Sequence, residues 1–410
     1  YGIIKWYRIK IKSLITEVFL MAIKSSAADI QNLLEVYVES AKEYVSNGAQ
    51  SDHDPIHHQS ILILGAPGIG KSAICKEVCK ENNIGFVDLR LLLMSETDLK
   101  GIPFPDKEHK HTAFLSMDLL PRVERDGEVG IIVLEEITAA PRSVQTAAYQ
   151  LTLDRQINQW HLPPGWIIVA NGNRQEDLGE FYDMPPALAN RFVHYELAAE
   201  GEEFVNNWIK WALAKNVIPE IIGFITHFPQ YLHKFDTELF EEGEWAFPTP
   251  RRWECLSNMI KSFKKVKWIT DEGTMKPSAQ ASIIGQVGEE VGYTFIKFYE
   301  YRTQMVDPNI ILRGDTNYEM PVNDSAIHMT VASLLSMAGP ELRKDTLSEK
   351  GRKYLENIVN FIVRINAADF VAVSLMNLLT MNPKVLVPEA MANIDHPQLD
   401  DFIMRNKNIL

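Results

Sequence analysis

Three stretches of this 410-residue chain carry residues whose types and spacing could do chemistry. The first is Gly65-Ala66-Pro67-Gly68-Ile69-Gly70-Lys71-Ser72, which fits G-x-x-x-x-G-K-[ST] in full. Glycines at these places let the backbone curl with its N–H groups inward, where phosphate oxygens can be held, and the following helix adds its positive end. Lys71 is placed to reach β- and γ-phosphates, and the Ser72 hydroxyl to bind Mg²⁺. Gly65 through Ala73 are therefore the candidate nucleotide-binding residues, with ATP and Mg²⁺ as the ligands they suit.

The second stretch is Gly130-Ile131-Ile132-Val133-Leu134-Glu135-Glu136, an apolar run closed by two acids. In phosphoryl-transfer sites the first acid supports the metal and the second polarises the attacking water. Ser72 and Glu135 are the candidate metal residues and Glu136 the candidate base. The first acid is usually Asp; Glu135 is one methylene longer, so metal preference or rate is expected to shift.

The third set consists of polar residues beyond other apolar runs. Ala170-Asn171-Gly172-Asn173-Arg174 offers two side-chain amides, Asn171 and Asn173, either of which could hold the water or touch the γ-phosphate. Arg191 precedes the run Phe192 to Leu197 and suits an arginine finger. In Phe247-Pro248-Thr249-Pro250-Arg251-Arg252-Trp253-Glu254, Thr249 is a candidate helix cap and Arg251 a candidate phosphate contact.

These residues need elements to position them. Ile61 to Leu64, Gly85 to Leu91, Gly130 to Leu134, Trp166 to Ala170 and Phe192 to Leu197 read as strands, the continuous apolar runs among them buried on both faces. Helical periodicity lies between them: about 25–46, Ala73 to about Glu81, and Ser143 to Leu153 with Pro141 near its start. Residues 95–128, with Pro103, Pro105 and Pro121, read as polar and irregular. Alternating strands and helices predict a parallel α/β sheet over 60–197. After residue 198 helical patterns dominate, among them Phe204 to Ala214, Pro219 to Thr226 and Arg252 to Phe263.

Composition narrows the class. Apolar residues are 46% of the chain and charged residues 23%, as in an ordinary globular protein. The net charge of -13 weighs against a DNA-coating role, which needs basic patches. The cysteines Cys75, Cys79 and Cys255 form no disulfide framework, which suits a reducing, cytoplasmic compartment. Cys75 and Cys79 read as buried apolar residues rather than a metal pair. The opening stretch is broken by Lys5, Arg8, Lys10, Lys12 and Glu17, so it is no membrane span. Met21 is expected as the natural start, with residues 1–20 as upstream sequence.

Taken together, GAPGIGKS at 65–72, ETDLKGIPFPD at 96–106, GIIVLEEITAAPRSVQTAAYQLTLDRQI at 130–157, ANGNR at 170–174, ALANRF at 187–192 and TPRRWE at 249–254 resemble the MoxR family of AAA+ ATPases, in the clade with an insert in the second core helix. The resemblance runs from about Ala28 to the C-terminus. It implies a P-loop NTPase (AAA+) αβα core with a parallel sheet at 25–198, a helical lid at 199–300 and a C-terminal helical region at 301–410, after an N-terminal extension of uncertain kind at 1–24. It implies that Lys71 lies in the Walker A loop, that Glu135 and Glu136 form the Walker B pair, that Asn173 is sensor 1, Arg191 the arginine finger and Arg251 sensor 2. It assigns ETDLKGIPFPD to the helix-2 insert and Asp154 to Trp166 to the hairpin before sensor 1.

The resemblance further implies a homo-oligomeric ring, a hexamer, that hydrolyses ATP to remodel or activate a client protein, with a von Willebrand factor A domain protein as the usual partner. A nucleic-acid-translocating motor is the alternative, since related insert-bearing rings act on nucleic acid. The hairpin 155–165 carries Arg155 and His161 but no basic cluster, which disfavours phosphate tracking, whereas the insert carries Lys100, Lys107, His109, Lys110 and His111. A slow ATP-binding switch is kept open by Glu135.

Overall fold

The computed structural model describes residues 24–50, 54–106, 111–115, 117–174, 177, 182, 184–270 and 273–407. The expectations about residues 1–20 and Met21, and about Lys107, His109 and Lys110, fall outside them. The chain divides into two compact units, one ending at Ala199 and the other starting at Glu200.

The first unit is built on a six-stranded parallel sheet. Its strands are β1 (Lys24–Ser25), β2 (Ser60–Leu64), β3 (Gly85–Arg90), β6 (Val129–Glu135), β9 (Gly165–Gly172) and β10 (Phe192–Leu197). Two antiparallel pairs, β4 (Ile102–Asp106) with β5 (His111–Leu115) and β7 (Gln156–Ile157) with β8 (Trp160–His161), stand outside it. The sheet order is β1-β10-β2-β9-β6-β3. β9 buries every side chain and β6 all but Val129, as the unbroken apolar runs require. Each Ile or Leu removed from water there contributes about 1.5–3 kcal/mol.

Helix α1 (Ala27–Ser46) opens with a capping box, Ser26 Oγ accepting from the Asp29 amide and Asp29 accepting from the Ser26 amide. It packs on α2 (Lys71–Asn82), β6 and β9. The other core includes Trp166, Ile132, Ile168 and Leu151, the last on α5 (Arg142–Asp154). Trp166 lies beside two glycines that its bulk demands. A Cβ on Gly130 would sit 2.7 Å from the Trp166 ring, and one on Gly85 2.8 Å from it. Gly130→Ala would therefore force the indole out of its place, where its Nε1 donates to Gly127 O at 3.0 Å.

Residues 95–128 are not irregular throughout, contrary to what their sequence suggests. Residues 96–100 form a short helix, α3 (Glu96–Lys100), Val123–Asp126 forms another, α4, and β4 pairs with β5. Pro103 and Pro105 hid the hairpin, because proline lacks the N–H of an inner strand. In a two-stranded hairpin each strand has a free edge that can take that loss. Lys24 and Ser25 also enter the sheet as an edge strand, which no apolar run announced.

The second unit is helical among its described residues, apart from one isolated bridge, Ile269 with Met275. Its helices include α7 (Glu202–Ala214), α8 (Pro219–His227), α9 (Thr237–Glu241), α10 (Pro250–Lys265), α11 (Pro277–Val287), α12 (Glu289–Glu300), α13 (Pro308–Leu312) and α14 (Asp324–Leu342), while α6 (Pro186–Ala189) belongs to the first unit. One apolar cluster runs from Trp208 to Ile403. Gly223 lets α8 lie directly on α14: a Cβ there would meet the backbone of His328 and Met329 at 3.1 Å. Thr249 caps α10, its hydroxyl accepting from the Arg252 amide at 3.1 Å. Among the described residues no single helix is long and apolar enough to cross a membrane.

Candidate functional site

The loop 65–70 leaves the C-terminal end of β2 and feeds α2, whose helix begins at Lys71. Gly68 and Gly70 have φ of 78° and 107°, values that L side chains rarely adopt, so the curl depends on glycine at both. The N-terminus of α2, which directly follows the loop, is the kind of helix end that binds anions. Lys71 is buried, and its Nζ donates to Gly65 O at 2.7 Å, Ala66 O at 3.0 Å and Asn173 Oδ1 at 3.0 Å. Pro67 completes the loop, Ala66 and Ile69 are buried beneath it, and Ala73 is exposed in the first turn.

Glu135 ends β6 next to β9 and is buried. Burial pushes its carboxyl pKa up. Hydrogen bonds from Ser72 and Asn171 pull it back, and the nearby carboxylates of Asp88 and Glu136 push it up again. Asn171 Nδ2 donates to Glu135 Oε1 at 3.3 Å and lies 3.5 Å from Ser72 Oγ. Asn171 Oδ1 is buried with no hydrogen-bond partner.

Glu136 takes a different backbone conformation, with φ of 56°. A non-glycine residue there costs on the order of 1 kcal/mol, and such strain collects at functional sites. The turn is held by Ile137 N donating to Asn171 O at 2.9 Å, by Ala139 N donating to Glu136 O at 3.0 Å, and by the buried Gln145 Nε2 donating to Ile137 O at 3.0 Å. The result turns the Glu136 carboxylate toward Asn173, whose Nδ2 donates to its Oε2 at 3.1 Å.

The structure therefore separates the two amides that the sequence left as alternatives. Asn171 serves Glu135 and Ser72, while Asn173 bridges Lys71 and Glu136. Arg174 next to it is tied into an ion cluster, donating to Asp177 at 2.8 Å and to Glu196 at 3.1 Å. Sequence reasoning missed Thr138 and Gln145. Gln145 carried a faint signal, a polar side chain on the buried face of its helix, and Thr138 carried almost none.

Arg191 is not part of this cluster. It precedes Phe192, which pairs with Ser60 at the start of β2, whereas the phosphate loop leaves the other end of that strand. Four residues of strand span about 13 Å, beyond the reach of an arginine side chain from that edge to the loop of its own chain. Its guanidinium is exposed, 5.9 Å from the centre of the Tyr149 ring. Arg251 is exposed in the first turn of α10 in the second unit, and Arg252 next to it donates to Gln286 at 3.2 Å.

Neither thiol pair nor histidine cluster competes as a metal site. Burial pushes the Cys75 and Cys79 thiols up, Cys79 to about 12. Among the described residues no group of three or more His, Cys, Asp or Glu is placed to hold a metal unaided. The residues present do fit Mg²⁺ carried by a triphosphate. One hydroxyl, one carboxylate and an unpartnered buried amide oxygen converge beside the loop, and Mg²⁺ takes its remaining oxygens from phosphate and water.

No family model matches the chain, and no curated protein matches it. Solved structures do. Two single-site variants of Thermotoga maritima RuvB align at 14% and 15% identity with TM-scores of 0.34 and 0.33, each over 92% of this chain and 94% and 93% of theirs. Hsp104 in its closed state with ATPγS and FITC casein aligns at 16% identity and a TM-score of 0.33, over 49% of this chain and 38% of its own. At these values the likenesses carry no argument about activity or partner. The parallel sheet, the phosphate loop after β2 and the helical second unit stand on their own geometry. The fold is an α/β P-loop fold with a six-stranded parallel sheet, followed by a helical unit.

Proposed function

We propose that the chain is a Mg²⁺-dependent ATPase of the AAA+ type, working in a ring in which each subunit's Arg191 completes its neighbour's site. The observation that carries this reading is the continuous chain Lys71–Asn173–Glu136, with Glu135 held beside it by Ser72 and Asn171. When bound, Mg²⁺ neutralises charge on the phosphates. The chain's own residues do the rest. The loop amides and Lys71 bind and orient the triphosphate. Glu136 Oε takes a proton from the attacking water, and Asn173 Nδ2 holds that carboxylate in place. Glu135 and Ser72 hold the metal side, and Arg191 offers positive charge across a subunit boundary.

Within that reading, residues 199–300 are a helical lid carrying Arg251 as a candidate phosphate contact, and 301–410 a C-terminal helical region. A hexameric, MoxR-like machine that remodels a client, with a von Willebrand factor A domain partner, is the version the motif set supports. The competing reading as a nucleic-acid motor loses two of its basic groups. Arg155 does not project from the β7–β8 hairpin; its guanidinium donates to the carbonyls of Pro163, Pro164 and Trp166. Lys100 is likewise paired, with Glu96.

The test is ATP turnover against protein concentration, for the unmodified chain and Arg191→Ala. Turnover per subunit that rises with concentration, and that Arg191→Ala abolishes while ATP still binds, supports a shared site. Turnover that is independent of concentration and untouched by the substitution overturns it.

A further inference from the structure

We infer that Thr138 is a positioning residue for the ATPase site, acting as a latch that fixes the angle at which Asn173 joins Lys71 to Glu136. The inference rests on the ATPase reading and adds a residue that the phosphate loop, the acidic pair and the amide do not explain.

β9 ends at Gly172, and Asn173 lies one residue beyond it. At that point the neighbouring chain has left the ladder for the Glu136 turn. The backbone of Asn173 would there lose its strand partners. Thr138 replaces both with one hydroxyl: the Asn173 N–H donates to Thr138 Oγ1 at 3.2 Å, and Thr138 Oγ1–H donates to the Asn173 carbonyl at 3.2 Å. A threonine hydroxyl has one proton and two lone pairs, so it can make both bonds at once.

Thr138 is only 3% exposed, and its own carbonyl accepts from the Tyr182 amide at 2.7 Å. The approach is close. A Cβ on Gly172 would lie 2.7 Å from both Thr138 Cγ2 and Thr138 Oγ1, so glycine is required before the sensor amide for the latch to engage. Thr138 also sits two residues after Glu136 in the turn that sets the direction of the carboxylate. One side chain thus holds the two ends of the Asn173–Glu136 hydrogen bond in a common frame. Small displacements of such a frame are costly to rate, on the order of 100-fold for about 1 Å.

The test uses Thr138→Val, which keeps the shape and removes the hydroxyl, and Thr138→Ser, which keeps the hydroxyl. Two quantities are read for the full chain and each variant: hydrogen exchange at the Asn173 amide without nucleotide, and kcat beside ATP affinity. In Thr138→Val the Asn173 amide exchanges faster. There kcat falls by about 10-fold to 100-fold, with ATP affinity nearly unchanged. Thr138→Ser restores both. Unchanged exchange in Thr138→Val overturns the latch. An unchanged kcat, or a fall in ATP affinity that matches the fall in kcat, overturns its positioning role. If the unmodified chain fails to turn over ATP at any concentration, the ATPase reading and the role assigned to the latch within it both fail. The exchange readout would still decide whether the latch exists.

Discussion

Asn173 donates from Nδ2 to Oε2 of Glu136 at 3.1 Å, and that single bond ties the end of β9 to the residue after β6. The same carboxamide accepts from Lys71 through its oxygen, so its two halves face opposite charges. Neither neighbour can supply this geometry alone. One amide thus couples the Lys71 ammonium to the Glu136 carboxylate.

Asn173→Ala is expected to leave ATP binding close to that of the unmodified chain, because the loop amides and Lys71 remain. Turnover should drop by about 100-fold, the usual cost of losing one pre-aimed hydrogen-bond donor. Separate measurements of nucleotide affinity and steady-state rate check this. An equal loss in both would mean that Asn173 serves binding rather than alignment.

Gly172→Ala tests the same frame by steric means. The added Cβ meets Thr138 at 2.7 Å, within a packed turn. The expected result is a stability loss of about 1–3 kcal/mol, as for overpacking elsewhere, with turnover falling more than the stability change explains. Thermal unfolding and rate on the same preparation decide it. A variant with parental rate would show that the frame tolerates a shift.

A third expectation concerns acid. His328 on α14 lies with Nε2 3.0 Å from Nδ1 of His227 on α8, and its own Nδ1 is buried without a hydrogen-bond partner. Burial, and then the neighbouring His227, push the His328 pKa down from 6.5 to about 3. Burial also lowers His227, against the pull of Asp324. A depressed folded-state pKa means that the unfolded chain binds the proton more readily. The stability from these neutral rings is thus complete above about pH 6.5 and is lost as pH falls toward 3. Across that whole range the loss for His328 is on the order of 5 kcal/mol. His328→Gln should flatten the fall in unfolding temperature between pH 6.5 and 4. Parallel slopes in the two proteins would count against it.

How much of this was legible beforehand varies by residue, for physical reasons. The buried strands announced themselves because a strand covered on both faces must be apolar throughout, as at Ile131 to Leu134 and Ile167 to Ala170. The phosphate loop was legible because its glycines are demanded by backbone geometry. The β4–β5 hairpin was not, since Pro103 and Pro105 mask an edge pairing. The choice between Asn171 and Asn173 was closed to residue-by-residue reading. Residues two apart on a strand share a face, so alternation cannot choose between them; the difference lies in Asn171 being inside β9 and Asn173 just past its end. Resemblance picked out Asn173, and the structure shows Asn171 busy with Glu135. Thr138 left almost no trace, because a buried hydroxyl and a solvated one look alike in sequence. The left-handed backbone at Glu136 left none at all. Asp88, whose charge bears on Glu135 from the adjacent strand, was hidden because strand order is not written locally.

The most direct test of the central claim is Glu136→Gln, with ATP binding and ATP turnover measured on the same protein. Gln keeps the shape and can still pair with Asn173, but it cannot take a proton. The account predicts unchanged ATP affinity and turnover reduced by about 100-fold or more, leaving ATP bound and unhydrolysed. Turnover at the parental rate would contradict it, because the carboxylate that the Asn173 bond aims would then not be the base.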